Sequence, residues 1–154
     1  MNSGEPTLRA RALRHLARRE HTRHELAKKL APHAGTPQEI DEVLDDFARR
    51  GWLSEQRAAE QMVHARQGRY GPARIRRDLE AKGVAAEVVT DTLATLKQGE
   101  AEAVRAVWQK KFRAPPANAA ERAKQMRFLL GRGFSSEAVS RLLRGMARDG
   151  MDEE

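Results

Sequence analysis

The apolar residues of this chain recur at helical spacing, and the whole pattern repeats about every fifty residues. Five apolar positions of a first copy have counterparts 49 residues later: Leu26, Leu30, Ile40, Leu44 and Phe47 correspond to Ile75, Leu79, Val89, Leu93 and Leu96. Four of these recur 50 residues further on, as Leu129, Val139, Leu143 and Met146. A fixed period of this length is typical of tandem supersecondary units that bury their apolar faces against neighbours. No run alternates with period two, so the pattern predicts no strand.

Capping signals divide each copy into three helices. Thr22 with Glu25 forms a capping box, and Thr36 followed by Pro37 supplies an N-cap and an N1 proline. Ser54 begins the second copy in the same way. Glycines end or separate helices, and four are predicted to be structural: Gly51, Gly71, Gly83 and Gly133.

The predicted fold is therefore all-α, with three tandem three-helix, helix-turn-helix-like repeats in an elongated array. The boundaries fall at 8–53, 54–98 and 99–148, and the termini 1–7 and 149–154 are predicted to be disordered. Trp52 and Trp108 are expected to fill the core or the space between helices. Such a thin-cored array presents surface, which favours a binding protein over an enzyme.

The composition then narrows the class of partner. Of the 154 residues, 40% are hydrophobic and 33% are charged, and the net charge is +7 with a pI of about 10.3. This excess favours nucleic acid, an acidic protein surface or anionic lipid as a partner. There is no cysteine, which excludes disulfides and thiolate chemistry. No apolar stretch is long enough to cross a bilayer and the first seven residues contain no apolar run, so we expect a cytoplasmic protein with no membrane contact. We also expect the protein to be a monomer.

The positive charge concentrates on the middle helix of each repeat, whereas the third helices of the first two repeats are acidic. The densest run, Arg66 to Lys82, surrounds the one tyrosine, Tyr70, which can stack on a base or pack against the Gly71-Pro72 turn. Isolated surface charges often serve only solubility. Recurrence on equivalent helices instead predicts a basic stripe that binds protein or DNA, formed by Arg23, Lys28, Lys29, Arg66, Arg69, Tyr70, Arg74, Arg76, Arg77, Lys82, Arg127 and Arg132.

Sites for catalysis, metals and cofactors are not indicated. The chain has no phosphate-binding loop, and Gly131-Arg132-Gly133 lies at a predicted helix end, where it reads as a C-cap. His21 and His24 lack a nearby third ligand, so no metal site is predicted. No constellation satisfies the geometric requirements of an active site, and we expect neither a cofactor nor an enzyme.

Several short motifs resemble the bacterial RecX family. They are Gly68-Arg69-Tyr70-Gly71 with Lys82-Gly83-Val84, Thr22-Arg23 with Glu25-Leu26, Arg50-Gly51-Trp52-Leu53, and Arg132-Gly133-Phe134. The resemblance covers about residues 8–146 and departs at Ser54 to Ala59, where Ala58 replaces the larger aromatic ring usual in the family. It implies a regulator that binds RecA and RecA–DNA filaments and inhibits RecA ATPase, strand exchange and coprotease activity. Such a protein would modulate recombinational repair and the SOS response.

The sequence pattern is also compatible with a second class of function, direct DNA binding. Three helices with glycine turns are also typical of helix-turn-helix DNA-binding modules and transcriptional regulators. The third helix of repeat one carries five carboxylates, which phosphates would repel, whereas the last helix of repeat three carries Arg141, Arg144 and Arg148. Weak, non-specific binding to single- or double-stranded DNA is compatible with either function.

Overall fold

The computed structural model of the chain describes residues 4–152, with side chains described as far as Asp149. Within these residues the chain is all-helical and contains no strand, as predicted. Its α-helices are α1 (Leu8–Arg18), α2 (Arg23–Leu30), α3 (Pro37–Arg49), α4 (Glu55–Arg66), α5 (Pro72–Ala81), α6 (Ala86–Gln98), α7 (Glu100–Lys111), α8 (Ala119–Gly131) and α9 (Ser136–Asp152). A short 3-10 helix (Ala31–His33) follows α2.

Polar side chains begin the helices where the capping signals predicted. The hydroxyl of Thr22 accepts a hydrogen bond from the N–H of Glu25 at 3.0 Å, and the Glu25 carboxylate accepts one from the N–H of Thr22 at 3.1 Å. Thr36, Ser54 and Asn118 cap α3, α4 and α8 through single side-chain bonds. Each bond satisfies an amide that would otherwise lack a partner at a helix start.

The chain divides into two compact units. The first contains the described residues up to Met62 together with Leu79–Val89. Its core lies between the first three helices and is built from apolar side chains that are fully or nearly fully buried: Ala12, Leu26, Leu30, Ile40, Leu44, Phe47 and Leu53. The five positions of the first repeat pattern all belong to this core, so the predicted inward face of α2 and α3 is confirmed.

The second unit contains Val63–Asp78 and the chain from Thr90 onward. Its core lies between α7, α8 and α9: Val104, Val107, Trp108, Leu129, Phe134, Val139, Leu142, Leu143 and Met146. The indole Nε1 of Trp108 donates to the side-chain oxygen of Gln125 at 2.9 Å, and both side chains are buried. Trp108 is therefore a core residue, as predicted, with its polar atom satisfied inside.

The apolar positions of the middle repeat follow the same register but are less uniformly buried. Ile75, Leu79 and Val89 are buried, but Leu93 and Leu96 are only half-buried, unlike the residues at equivalent positions in the other repeats. The periodicity predicts which side of a helix faces inward, and the depth of burial depends on how many neighbours cover that side.

Two expectations need correction. Trp52 is 41% exposed and does not fill the core, because its backbone follows the glycine turn that ends α3 and leaves the ring on the surface. Residues 149–152 continue α9, since extending an existing helix orders one residue for each added hydrogen bond. Thr7 caps α1. The disorder predicted for 1–3 and 153–154 lies outside the described residues.

Candidate interaction surface

Tyr70 lies among the guanidinium groups of three arginines in the second unit. The Cζ atoms of Arg74, Arg132 and Arg69 lie 4.7, 5.4 and 5.6 Å from the centre of its ring. A guanidinium over an aromatic ring is attracted by the ring quadrupole. The arginines occupy the ring surface on which a base would stack, so the tyrosine orders cations around itself.

A single carboxylate neutralises part of this charge. Asp78 accepts a hydrogen bond from Arg66 Nε at 2.7 Å, and the Nε of Arg74 lies 3.4 Å from its other oxygen. Arg69 and Arg132 make no ion pair with a carboxylate within the described residues. We call Arg66, Arg69, Tyr70, Arg74, Asp78 and Arg132 the Tyr70 cluster. Only two of its four guanidinium groups pair with this carboxylate, which leaves an excess of donors suited to phosphate or carboxylate ligands.

The turn before α5 and the turn after α8 bring these arginines together. The N–H of Gly71 donates to the carbonyl oxygen of Arg132 at 2.8 Å, and the N–H of Ala73 donates to that of Gly133 at 3.0 Å. Both glycines are buried between the two turns. Arg132 is distant from Tyr70 in sequence, and this backbone contact is what carries its side chain to the ring.

A second group of charges surrounds the start of α2 in the first unit. The Glu25 carboxylate is 8% exposed, accepts a hydrogen bond from Arg19 at 2.8 Å and lies 3.6 Å from Lys82 Nζ. Burial alone would raise the pKa of Glu25. The hydrogen bonds from Arg19 and the Thr22 N–H, with the charges of Arg19 and Lys82, outweigh burial and lower this pKa to about 2. Glu25 is therefore ionised at neutral pH.

Lys29 joins this group through a histidine. The Nδ1 of His21 lies 3.0 Å from the carbonyl oxygen of Arg19, so it carries the proton and donates. Its Nε2 then accepts from Lys29 Nζ at 2.9 Å. Burial, assisted by neighbouring positive charges, lowers the pKa of His21 and of Lys29. The histidine is neutral in this arrangement, and Lys29 is fixed on the protein surface.

The remaining predicted residues are not gathered into either group. Arg23 donates to the acidic α3, with its guanidinium 2.7 Å from Asp45 and 3.6 Å from Asp41. Lys28, Arg76, Arg77 and Arg127 are exposed. Lys28, Arg77 and Arg127 make no ion pair within the described part of the chain. Among the described residues, no three potential metal ligands of the His, Cys, Asp or Glu type lie together, and no helix has the length and apolarity to span a membrane.

Sequence reasoning missed one surface cluster. Trp52 packs edge-on against Phe47 at 5.4 Å, and the guanidinium groups of Arg9 and Arg50 lie 5.6 and 5.1 Å from its ring centre. Asp46 bridges the same two arginines, at 2.6 Å from Arg9 and 3.0 Å from Arg50. Arg50 is near Trp52 in sequence and could have been suspected. Arg9 comes from α1, and no local pattern links it to this ring.

Comparison with family models assigns most of the chain. Models of the first, second and third three-helix domains of RecX match residues 9–47, 54–93 and 98–143. The chain belongs to the RecX family. It is 52% identical to regulatory protein RecX of Leptothrix cholodnii over 93% of this chain and 91% of that protein. It is 48% identical to regulatory protein RecX of Ralstonia pickettii over 90% of this chain and 87% of that one.

Solved RecX structures share the fold. The crystal structure of RecX from Lactobacillus salivarius superposes with a TM-score of 0.75 at 18% identity, covering 91% of this chain and 94% of that one. A second crystal structure of regulatory protein RecX has a TM-score of 0.69, covering 88% of this chain and 70% of that chain. The tandem three-helix architecture is thus confirmed, and the relatives' names indicate a regulatory role.

Proposed function

We propose that this protein binds RecA and RecA–DNA filaments and inhibits the ATPase, strand-exchange and coprotease activities of RecA. It would thereby modulate recombinational DNA repair and the SOS response, acting in the cytoplasm as a monomer without a cofactor. Membership of the RecX family along most of the chain carries this proposal, because the resemblance implies these activities.

The charged surfaces support a macromolecular partner of this kind. A RecA–DNA filament offers phosphates and acidic side chains, and the Tyr70 cluster presents guanidinium groups suited to both. The negatively charged helix α3 is less available, because its Asp45 and Asp46 already pair with arginines of this chain. We therefore assign the main contact to the basic surface and a minor one, with basic RecA loops, to α3.

The direct test measures RecA's ATPase on single-stranded DNA with this protein added well below the RecA concentration. We expect turnover to fall as protein is added, and to fall less at high salt because charge pairs are screened. Unchanged turnover at low salt would reject the assignment. Inhibition of RecA coprotease activity and of strand exchange in the same preparation would extend the result to the other two activities.

Non-specific DNA binding is the second candidate, favoured by the net charge of +7 and the unpaired arginines of the Tyr70 cluster. For binding through DNA phosphates, the logarithm of the binding constant falls linearly with the logarithm of the salt concentration, and the affinity does not depend on base sequence. A salt titration on unrelated duplexes and single strands measures this directly. A strong preference for one duplex sequence would instead favour a helix-turn-helix transcriptional regulator.

A further inference from the structure

A hydrogen bond to an equivalent backbone carbonyl joins successive repeats at both places where two repeats follow each other. At the first, the hydroxyl of Thr22 donates to the carbonyl oxygen of Lys82 at 2.5 Å. At the second, the N–H of Gly71 donates to the carbonyl oxygen of Arg132 at 2.8 Å. The donors are 49 residues apart and the acceptors 50 apart, which are the repeat offsets. In each case the N-cap of one middle helix meets the C-terminal turn of the next middle helix.

Glycine permits the close approach at these junctions. A Cβ atom at Gly71 would lie 2.6 Å from backbone atoms of Gly133 and Phe134, and one at Gly133 would lie 2.6 Å from the backbone nitrogen of Arg74. Gly133 also has a φ of +97°, which side chains rarely adopt. At the first junction a Cβ on Gly83 would clash with the Cβ of His24. Any larger residue at these positions must separate the two turns.

Each junction places a cation from one repeat among charged groups of the preceding repeat. Arg132 reaches the ring of Tyr70 beside Arg74, and Lys82, its equivalent 50 residues earlier, reaches the Glu25 carboxylate beside Arg19. We propose that Gly71 and Gly133 are positioning residues that assemble the Tyr70 cluster from two repeats. This inference rests on the proposed function, because it takes the assembled cluster as a contact for the RecA–DNA filament.

The chain offers matched controls that separate close approach from backbone strain. Gly71→Ala adds the clash at a glycine whose φ is not positive. Gly51→Ala adds strain at a φ of +76° where a Cβ meets nothing within 4 Å. Gly131→Ala adds neither. We expect Gly71→Ala to raise the concentration needed for half-inhibition of RecA ATPase about tenfold, the loss of one charge-assisted contact. Gly51→Ala and Gly131→Ala should inhibit as the parent protein does.

A double-mutant cycle distinguishes positioning from loss of stability. If Gly71 acts by placing Arg132, then Arg132→Ala in the Gly71→Ala background causes no further loss of inhibition. The ring signals of Tyr70, the one tyrosine, report the same event in NMR spectra of the protein alone and should move in both single variants. Additive losses, or Tyr70 signals unchanged in Gly71→Ala, would overturn the inference.

Amide exchange of the unmodified protein tests the junction even if Gly71→Ala does not fold. The first amides of a helix have no partner within it and exchange quickly. The bonds to Arg132 and Gly133 should protect the amides of Gly71 and Ala73 relative to those of Ala119 and Ala120 at the start of α8. Equal exchange rates would contradict the junction. A parent protein that fails to inhibit RecA would contradict the proposed function, whatever these rates are.

Discussion

Leu79 is an inward position of the repeat pattern that is fully buried, so its truncation tests the register. The side chain is 0% exposed on α5, whereas Leu130 on α8 is 40% exposed. Leu79→Ala removes three buried carbon atoms, which costs about 2.4 kcal/mol at ~0.8 kcal/mol per buried group. The cavity left behind brings the expected loss of unfolding free energy to about 2–5 kcal/mol.

Thermal unfolding followed by circular dichroism measures this loss, with Leu130→Ala as the matched control. Each kcal/mol shifts the Tm of a chain this size by roughly 2–4 °C, so Leu79→Ala should melt about 4–20 °C lower. Leu130→Ala removes the same atoms from a partly solvated site and should shift the Tm by a few degrees at most. Equal shifts in the two variants would refute the assignment of inward positions.

Three further outcomes test the surface and the buried polar contacts. Reversing the charges of Arg74, Arg76 and Arg77 together should weaken RecA inhibition without loss of helicity, whereas reversing the charges of the three arginines of α9 should not. A larger loss of inhibition from the α9 variant would instead place the contact on α9. Glu25→Gln should lower the unfolding free energy at neutral pH by about 1–3 kcal/mol. Because the pKa of Glu25 is about 2 in the folded protein and its ordinary value is 4.5, the ionised carboxylate stabilises the fold fully above pH 4.5 and progressively less toward pH 2. A Glu25→Gln variant whose stability falls in parallel with that of the parent over this range would contradict the pairing. Gln125→Ala leaves the buried indole N–H without an acceptor and should cost about 1–3 kcal/mol in a urea titration; an unchanged midpoint would argue against the buried bond.

Local signals were sufficient to predict the helices and most of the core. The capping box at Thr22, the proline at Pro37 and the glycine turns each act within a few residues, so the sequence displays them directly. The recurrence of apolar residues at equivalent positions, such as Leu26 and Ile75, extended the prediction to the inward faces of successive repeats. The one tryptophan that was misplaced, Trp52, has an apolar side chain but sits on a turn that leaves it exposed.

The arrangement of the basic surface could not be predicted in the same way. The positions of basic residues in the sequence indicated that positive charge recurs on the middle helices, but they did not show that Arg23 pairs with Asp45. The approach of Arg132 to Tyr70 depends on a contact between two backbone turns that are far apart in sequence. Its trace in the sequence is a pair of glycines, which also fit simple helix ends.

We propose that the basic surface of this RecX-family protein binds a RecA filament. Electron cryomicroscopy of RecA–single-stranded DNA filaments saturated with the protein tests it most directly. We expect density for the three-helix repeats along the filament, with the Tyr70 cluster turned toward DNA phosphates or acidic RecA side chains. Bare filaments, or bound protein with this cluster facing solvent, would contradict it.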